Sequence, residues 1–347
     1  MRFRLLDMLA CPRDGAAPLR LQAARVVAGR GAPPWVGRDG PVCARHCSHT
    51  DAPGACRECW AKEIAGGELA CPQCGARFPI RGGIPSFVHQ GPSDTDEQAL
   101  RDEQAEQYDR SFTPARNRIE MMATYRLFGG RQDDVALEAG AGTGRMTAGC
   151  AARCRELVAL DFSLASLKVA ARKVSGQPGV VHLVHGDVTA LPFRAASFDR
   201  YLSAGVFQHL PGRQGRERGL AELRRVMKPG GTAVLSVYNY NRDKRRADKR
   251  HAGGVREREG MHSGGRVYYY RFEAEELRAW LSGALEVRRV VGFRMPRVER
   301  MGRLGLALEW LLERTPVGRE IGYSLIAECR VPAAQRVAER ASAEATR

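Results

Sequence analysis

One stretch of this chain admits few folds. Val135-Ala-Leu-Glu-Ala-Gly-Ala-Gly-Thr-Gly-Arg145 is an apolar strand that runs into Glu138 and then into Gly140, Gly142 and Gly144. Two further apolar runs follow. Leu157-Val-Ala-Leu160 ends in Asp161, and Val180-Val-His-Leu-Val184 leads into Gly186-Asp187. Strands that each finish in an acidic residue line those carboxylates along the carboxyl edge of one parallel sheet. Open α/β sheets hold nucleotide-like ligands at that edge.

Residue chemistry narrows the ligand. Gly140 and Gly142 allow a sharp turn and a close backbone approach, and Gly144 allows a helix to pack tightly. The G-x-G-x-G spacing differs from the dinucleotide fingerprint. Glu138, just before the first glycine, would repel a phosphate and attract a cation. Asp161 is placed to accept from both hydroxyls of a ribose, and Asp187 lies near an adenine amino group. An adenosine carrying a positive sulfonium satisfies all three better than a dinucleotide does.

On these residues the chain resembles the class I methyltransferases that use S-adenosylmethionine. The resemblance continues through Gly186-Asp-Val-Thr-Ala-Leu-Pro-Phe193, Ser197-Phe-Asp199, Phe207-Gln-His-Leu210, Leu223-Arg-Arg-Val-Met-Lys-Pro-Gly-Gly231 and Thr232-Ala-Val-Leu-Ser-Val237, over roughly 105–331. These blocks are similar to the quinone, sterol and natural-product branch. The resemblance implies that Glu138, Gly140 and Gly142 meet the methionyl end of the cofactor, that Asp161 holds the ribose, and that Asp187 and Val188 bind the adenine. Gly144 and Ser203 are counted with the cofactor residues. A helix over 97–127 would lid the cofactor, with Tyr108 facing the methionyl carboxylate or simply packing.

Ten cysteines in a 347-residue chain raise the question of redox compartment. The start, Met-Arg-Phe-Arg-Leu-Leu-Asp-Met-Leu-Ala, has too short an apolar core for a signal peptide, and no run approaches the ~20 residues of a membrane span. The expectation is a cytoplasmic protein whose cysteines bind metal rather than pair. Cys11, Cys43, Cys47, Cys56, Cys59, Cys71 and Cys74 all precede residue 75, and Cys56/Cys59 and Cys71/Cys74 are knuckles suited to a tetrahedral zinc. The flanks of Cys11 and of Cys71/Cys74 resemble the two halves of a small zinc-ribbon family. Its members activate tRNA and translation-factor methyltransferases or are fused ahead of bacterial ones. That resemblance joins Cys11, Cys71 and Cys74 in one structural site, with Asp14 where the family has its fourth cysteine. Cys43, Cys47, Cys56 and Cys59 could close a second site, with His46 and His49 as alternates. A ribbon pairing Cys56/Cys59 with Cys71/Cys74 competes with it. Cys150, Cys154 and Cys329 read as core.

The expected fold is therefore α/β: a seven-stranded Rossmann-like methyltransferase sheet with an amino-terminal zinc-ribbon-like domain. The ribbon occupies 1–90, the catalytic domain 98–331, and a solvated tail 332–347. Strands are expected at 135–138, 157–160, 180–184, 199–203, 232–238, 285–292 and 322–331, the last antiparallel, with Lys228-Pro-Gly-Gly231 ending the helix before the fifth. Insertions at 239–271 and 294–320 should build the acceptor cap, presenting Tyr268, Tyr270, Trp310 and a leucine stripe.

Methyl transfer asks an enzyme mainly to position two partners. Gln208 and His209, just beyond the fourth strand, are the residues placed to orient or deprotonate an acceptor. The leading expectation is a small organic or lipid-like acceptor. The net charge of +16 and the basic run Arg242–Arg250 keep RNA as the alternative. An Asn-Pro-Pro-Tyr motif is absent after the fourth strand, which argues against methylation of adenine amines.

Overall fold

The computed structural model describes residues 1–29, 60–88, 96–176, 179–250, 256–262 and 265–333. Cys43, Cys47, Cys56 and Cys59, with His46 and His49, lie outside them, as does most of the 332–347 tail.

The amino-terminal part is a four-stranded antiparallel sheet in sequence order: β1 (Arg20–Ala28), β2 (Lys62–Ala70), β3 (Arg77–Arg81) and β4 (Ile84–Pro85). Cys11 and Cys71 each open a tight loop of the same design. Gly15 N–H donates to the Cys11 carbonyl and Gly75 N–H to the Cys71 carbonyl, while Cys11 and Cys71 N–H donate to the carbonyls of Ala16 and Ala76. Gly15 and Gly75 take φ of 75° and 70°, the left-handed turn that glycine adopts without strain.

This sheet does not stand apart. Ala10 N–H donates to Pro192 O (3.0 Å) and Arg194 N–H to Met8 O (2.9 Å). Leu5, Leu9, Ile64 and Phe78 belong to the same buried cluster as Leu160, Val184 and Phe193. The described ribbon residues thus share one buried core with the larger sheet.

Next come α1 (Asp96–Gln104) and α2 (Pro114–Phe128), where sequence periodicity suggests one helix over 97–127. Thr113 and Pro114 explain the break. The Thr113 hydroxyl caps Arg116 N–H, and Pro114 fits the first helical turn but not a helix interior.

The catalytic sheet is made by β5 (Val135–Ala139), β6 (Glu156–Asp161), β7 (Val180–His185), β8 (Phe198–Ala204), β9 (Met227–Tyr238), β12 (Glu286–Phe293) and β13 (Ser324–Arg330). A separate hairpin, β10 (Glu257–His262) and β11 (Gly265–Tyr270), precedes the last two. The strand order is β12-β13-β9-β8-β5-β6-β7. β13 is antiparallel to both neighbours, and the pairs β8–β9, β8–β5, β5–β6 and β6–β7 are parallel. Between the strands lie α3 (Thr147–Ala151), α4 (Leu164–Val174), α5 (Gly212–Val226), α6 (Arg242–Arg250), α7 (Ala274–Ser282), α8 (Gly302–Leu312) and α9 (Pro316–Ile321). β5 and β6 are buried throughout, as strands covered on both faces must be.

One local expectation is corrected. α5 already stops at Val226, so Lys228-Pro-Gly-Gly231 is not a helix end but a bulged start of β9. There Phe198 pairs with Met227 and Arg200 with Thr232, and Gly230 (φ 76°) turns the excess residues outward. The exposed edge of β7 is closed by the ribbon, with Ser86 bridging His185 and Phe87 N–H donating to His185 O (2.8 Å).

Candidate functional site

The glycine turn after β5 opens a cavity of about 610 Å³ at the carboxyl edge, lined by Glu138, Gly140, Gly142, Asp161, Asp187, Val188, Tyr108 and His209 among others. Each glycine has its own reason. A Cβ on Gly140 would stand 2.1 Å from Val206 Cγ2, whereas one on Gly142 (φ 54°) would meet no heavy atom within 4 Å. Gly142 therefore faces the space a ligand would fill. Gly144 is needed for α4: a Cβ there would lie 2.9 Å from Ala170 Cβ.

The carboxylates are buried where the sheet ends. Asp161 accepts the N–H of Gly142 (2.7 Å) on one oxygen and that of Ser163 (2.8 Å) on the other. Burial pushes its pKa up to about 6 against those hydrogen bonds. Glu138 is 2% exposed, and its Oε2 has no hydrogen-bond partner. Burial raises it to about 7, opposed by Arg145 among others. A buried, unsatisfied carboxylate oxygen beside a bare glycine fits a cationic ligand, the amino or sulfonium group of S-adenosylmethionine. Asp187 is exposed and caps Thr189 N–H (2.7 Å); Val188 is buried beside it. Ser203 is fully buried and lines neither this cavity nor the next, because alternation along β8 turns it away from the side on which Ala204 lines both.

α1 is tied to the cavity rim. Asp102 of α1 accepts from Ser163 Oγ (2.6 Å) and Ala165 N–H (3.1 Å) at the start of α4. Glu97 of α1 lies 3.5 Å from His209 Nδ1. Tyr108 joins α1 to the cavity through the Arg101 guanidinium, 5.7 Å from its ring centre.

His209 sits where this cavity meets a second one of about 460 Å³, and lines both. Its Nδ1 is 2.9 Å from the Tyr268 carbonyl, which can only accept, so Nδ1 carries the proton and Nε2 is the ring's basic nitrogen. Gln208 lines the second cavity, 1% exposed. The insertion 239–271 thus supplies Tyr268 to the first cavity and orients His209.

The rest of the expected cap is corrected. Tyr270 turns away, its hydroxyl on Glu276 and its ring at 4.8 Å from Phe272. Leu304, Trp310 and Leu311 are 76%, 44% and 57% exposed. α8 buries its acidic side instead. Glu309 accepts the backbone N–H of Arg294 and of Met295, and Glu313 pairs with Arg126 at 2.5 Å. Carboxylates bonded to backbone N–H or ion-paired can be buried, and Leu304, Trp310 and Leu311 are left outside. Sequence reasoning also missed Arg101, Arg116, Glu120 and Arg294, which line the second cavity, since nothing in their local spacing marks them.

In the ribbon, Cys11, Asp14, Cys71 and Cys74 present ligand atoms all within 4.8 Å of one another. Cys11 Sγ and Cys74 Sγ are 3.7 Å apart, and Cys71 Sγ is 3.3 Å from Asp14. Three sulfurs and an oxygen on paired knuckles suit a tetrahedral zinc.

Residues 137–235 match the family model described as a methyltransferase domain, and residues 2–83 the model described as Trm112p-like protein. A demethylmenaquinone methyltransferase of Clavibacter sepedonicus is 36% identical over 145 residues, 41% of this chain and 57% of that protein. One from Thermobifida fusca is 32% identical over 147 residues, 41% of this chain and 61% of that protein. The chain thus spans less than two thirds of the length of the relatives it matches. A solved structure titled DhpI-SAM-HEP complex superimposes with a TM-score of 0.50 at 19% identity, covering 70% of this chain and 99% of that one, a likeness of fold. With the strand order and the glycine turn, these findings define a class I S-adenosylmethionine-dependent methyltransferase fold. It carries an amino-terminal Trm112-like metal-binding motif.

Proposed function

We propose that this chain is an S-adenosylmethionine-dependent methyltransferase acting on a small organic acceptor. The observation that carries the reading is the orphaned, buried Glu138 carboxylate oxygen beside the open face of Gly142. Glu138 and Tyr108 would hold the methionyl end, Asp161 the ribose, and Asp187 with Val188 the adenine. The cofactor supplies an already activated methyl group. The chain's own work is then to hold the acceptor in the second cavity, with His209 Nε2 placed to receive a proton and Gln208 to orient the reacting group.

A cavity of about 460 Å³ is the size of a small-molecule site. The matched relatives named demethylmenaquinone methyltransferases support a small acceptor too. The basic run that raised RNA folds into α6, where Arg245 is taken up by Glu320 and the Tyr240 carbonyl. Cys11, Asp14, Cys71 and Cys74 would hold a structural zinc.

The test is calorimetric titration of the full chain with S-adenosylmethionine. Asp161→Asn should weaken binding about ten- to a hundredfold, since hydrogen bonds to a charged acceptor contribute about 1.5–3 kcal/mol. Equal affinity of variant and wild type would remove Asp161 from the site.

A further inference from the structure

α8 is turned inside out. Its acid faces inward: Glu309 is buried and bonded to the N–H groups of Arg294 and Met295, and Glu313, just past the helix end, is buried and ion-paired with Arg126. Its apolar residues face outward. Of the nine large apolar side chains that are exposed among the described residues, six lie between 301 and 323: Met301, Leu304, Trp310, Leu311, Val317 and Tyr323. Leu304 and Leu311, at i and i+7, share one outward stripe of the helix. α9, which carries Val317, packs so closely on the end of α8 that a Cβ on Gly318 would lie 2.2 Å from the Leu312 carbonyl oxygen. Surfaces ordinarily scatter single apolar residues, and a gathering of this kind marks a contact.

Cations frame the patch. Arg297 and Arg300 precede α8 and are exposed, and Arg314 follows it with its guanidinium 4.3 Å from the centre of the Trp310 ring. Glu309 is the only acid within α8, so the outward side of the helix carries apolar and basic groups and no carboxylate. Charge decides between the occupants that could cover such a face. A second copy of this chain would set the same arginines against one another, each copy carrying a net charge of +16. Nucleic acid offers phosphates but nothing for two leucines to enter. An anionic lipid surface offers both: acyl chains for the leucines, headgroup phosphates for the arginines, and between them the boundary where tryptophan rings settle. The helix has eleven residues, about half of the ~20 that a span needs, so it would lie along that surface rather than cross it. The patch also adjoins the second cavity. Arg294, whose N–H Glu309 accepts, lines that cavity, as does Ser324, the residue after Tyr323.

We propose that α8 docks this chain on an anionic lipid surface, with Leu304, Trp310 and Leu311 entering the acyl boundary and Arg297, Arg300 and Arg314 meeting headgroup phosphates. The second cavity is thereby held beside the lipid. The docking does not depend on the methyltransferase reading and is measured without turnover. The full chain is sedimented with vesicles of phosphatidylcholine alone, and of phosphatidylcholine mixed with an equal amount of phosphatidylglycerol. It should partition into the mixed vesicles at least about tenfold more strongly, and added salt should shrink the difference. Leu304→Glu and Leu311→Glu should each lower partitioning about tenfold or more, the scale of one leucine withdrawn from an apolar phase. Val26→Glu, at an exposed site on the ribbon, changes net charge by the same amount and should cost far less. Vesicles should shift the tryptophan emission of the wild type to the blue, and Trp310→Phe should remove that shift. S-adenosylmethionine affinity should match the wild type in all these variants; its absence throughout would strike the functional reading and leave the lipid result standing. No preference for the anionic vesicles, leucine variants that bind them as well as Val26→Glu does, or an emission shift that survives Trp310→Phe would overturn the proposal. So would a wild type that is dimeric in lipid-free solution and monomeric as Leu304→Glu, since a second copy would then cover the face.

Discussion

At the scale of single residues, Glu138 makes the sharpest prediction. A carboxyl raised to about 7 by burial is largely protonated below neutrality. A cationic ligand favours its ionised form, so affinity for S-adenosylmethionine should fall as pH drops from 8 to 6 and level off above 8. Binding at pH 7 should release a fraction of a proton, visible as a dependence of calorimetric heat on buffer ionisation enthalpy. A flat pH profile would mean that Glu138 does not meet the ligand's charge. The glycines separate fold from function. Gly140→Ala forces a methyl into Val206 and should lower Tm, whereas Gly142→Ala places one in open space and should weaken cofactor binding more than stability. Equal thermal losses with unaltered binding would reverse that assignment. The meeting of Glu138, Gly140, Gly142 and Asp161 around one cavity was legible in sequence because it follows from position along strand and turn. Arg116, Arg145 and Arg294 were not, because Glu120 gathers them from α2, the glycine turn and the end of β12, and no local spacing records such a meeting.

At the scale of elements, strands were easier to read than helices. Buried parallel strands announce themselves as apolar runs ending in acids, and all seven appear within a few residues of the expected positions. α8 misled because its leucines and Trp310 suggest an inward face, while buried Glu309, bonded to two backbone N–H groups, and buried Glu313, ion-paired with Arg126, decide its orientation. The paired knuckles of the ribbon show why Asp14 matters: it occupies the position in the first loop that Cys74 occupies in the second. The protein should hold zinc at this site. Asp14→Cys should slow its removal by a chelator and Cys71→Ser should abolish retention, read by a colorimetric zinc indicator. A chelator that strips the Asp14→Cys variant as fast as wild type would exclude Asp14 as a ligand.

At the scale of the whole molecule, ribbon and sheet share one apolar cluster, joined by hydrogen bonds at Met8, Ala10 and Phe87. They should therefore unfold as one unit. Calorimetry is expected to show a single transition whose Tm drops on zinc removal; two separate transitions would make the ribbon an independent domain. A polar path also crosses the boundary. Ser86 Oγ lies 2.7 Å from His185 Nδ1, and His185 Nε2 lies 3.0 Å from the Phe162 carbonyl, next to Asp161. The shared core has a further consequence during synthesis. The ribbon emerges from the ribosome about a hundred residues before β7 and Phe193, a delay of about 5–20 s at ordinary translation rates. Through that interval Leu5, Leu9 and Phe78 lack the part of their core that Leu160, Val184 and Phe193 supply, so the nascent ribbon is where a chaperone, or a premature aggregate, would find exposed apolar surface.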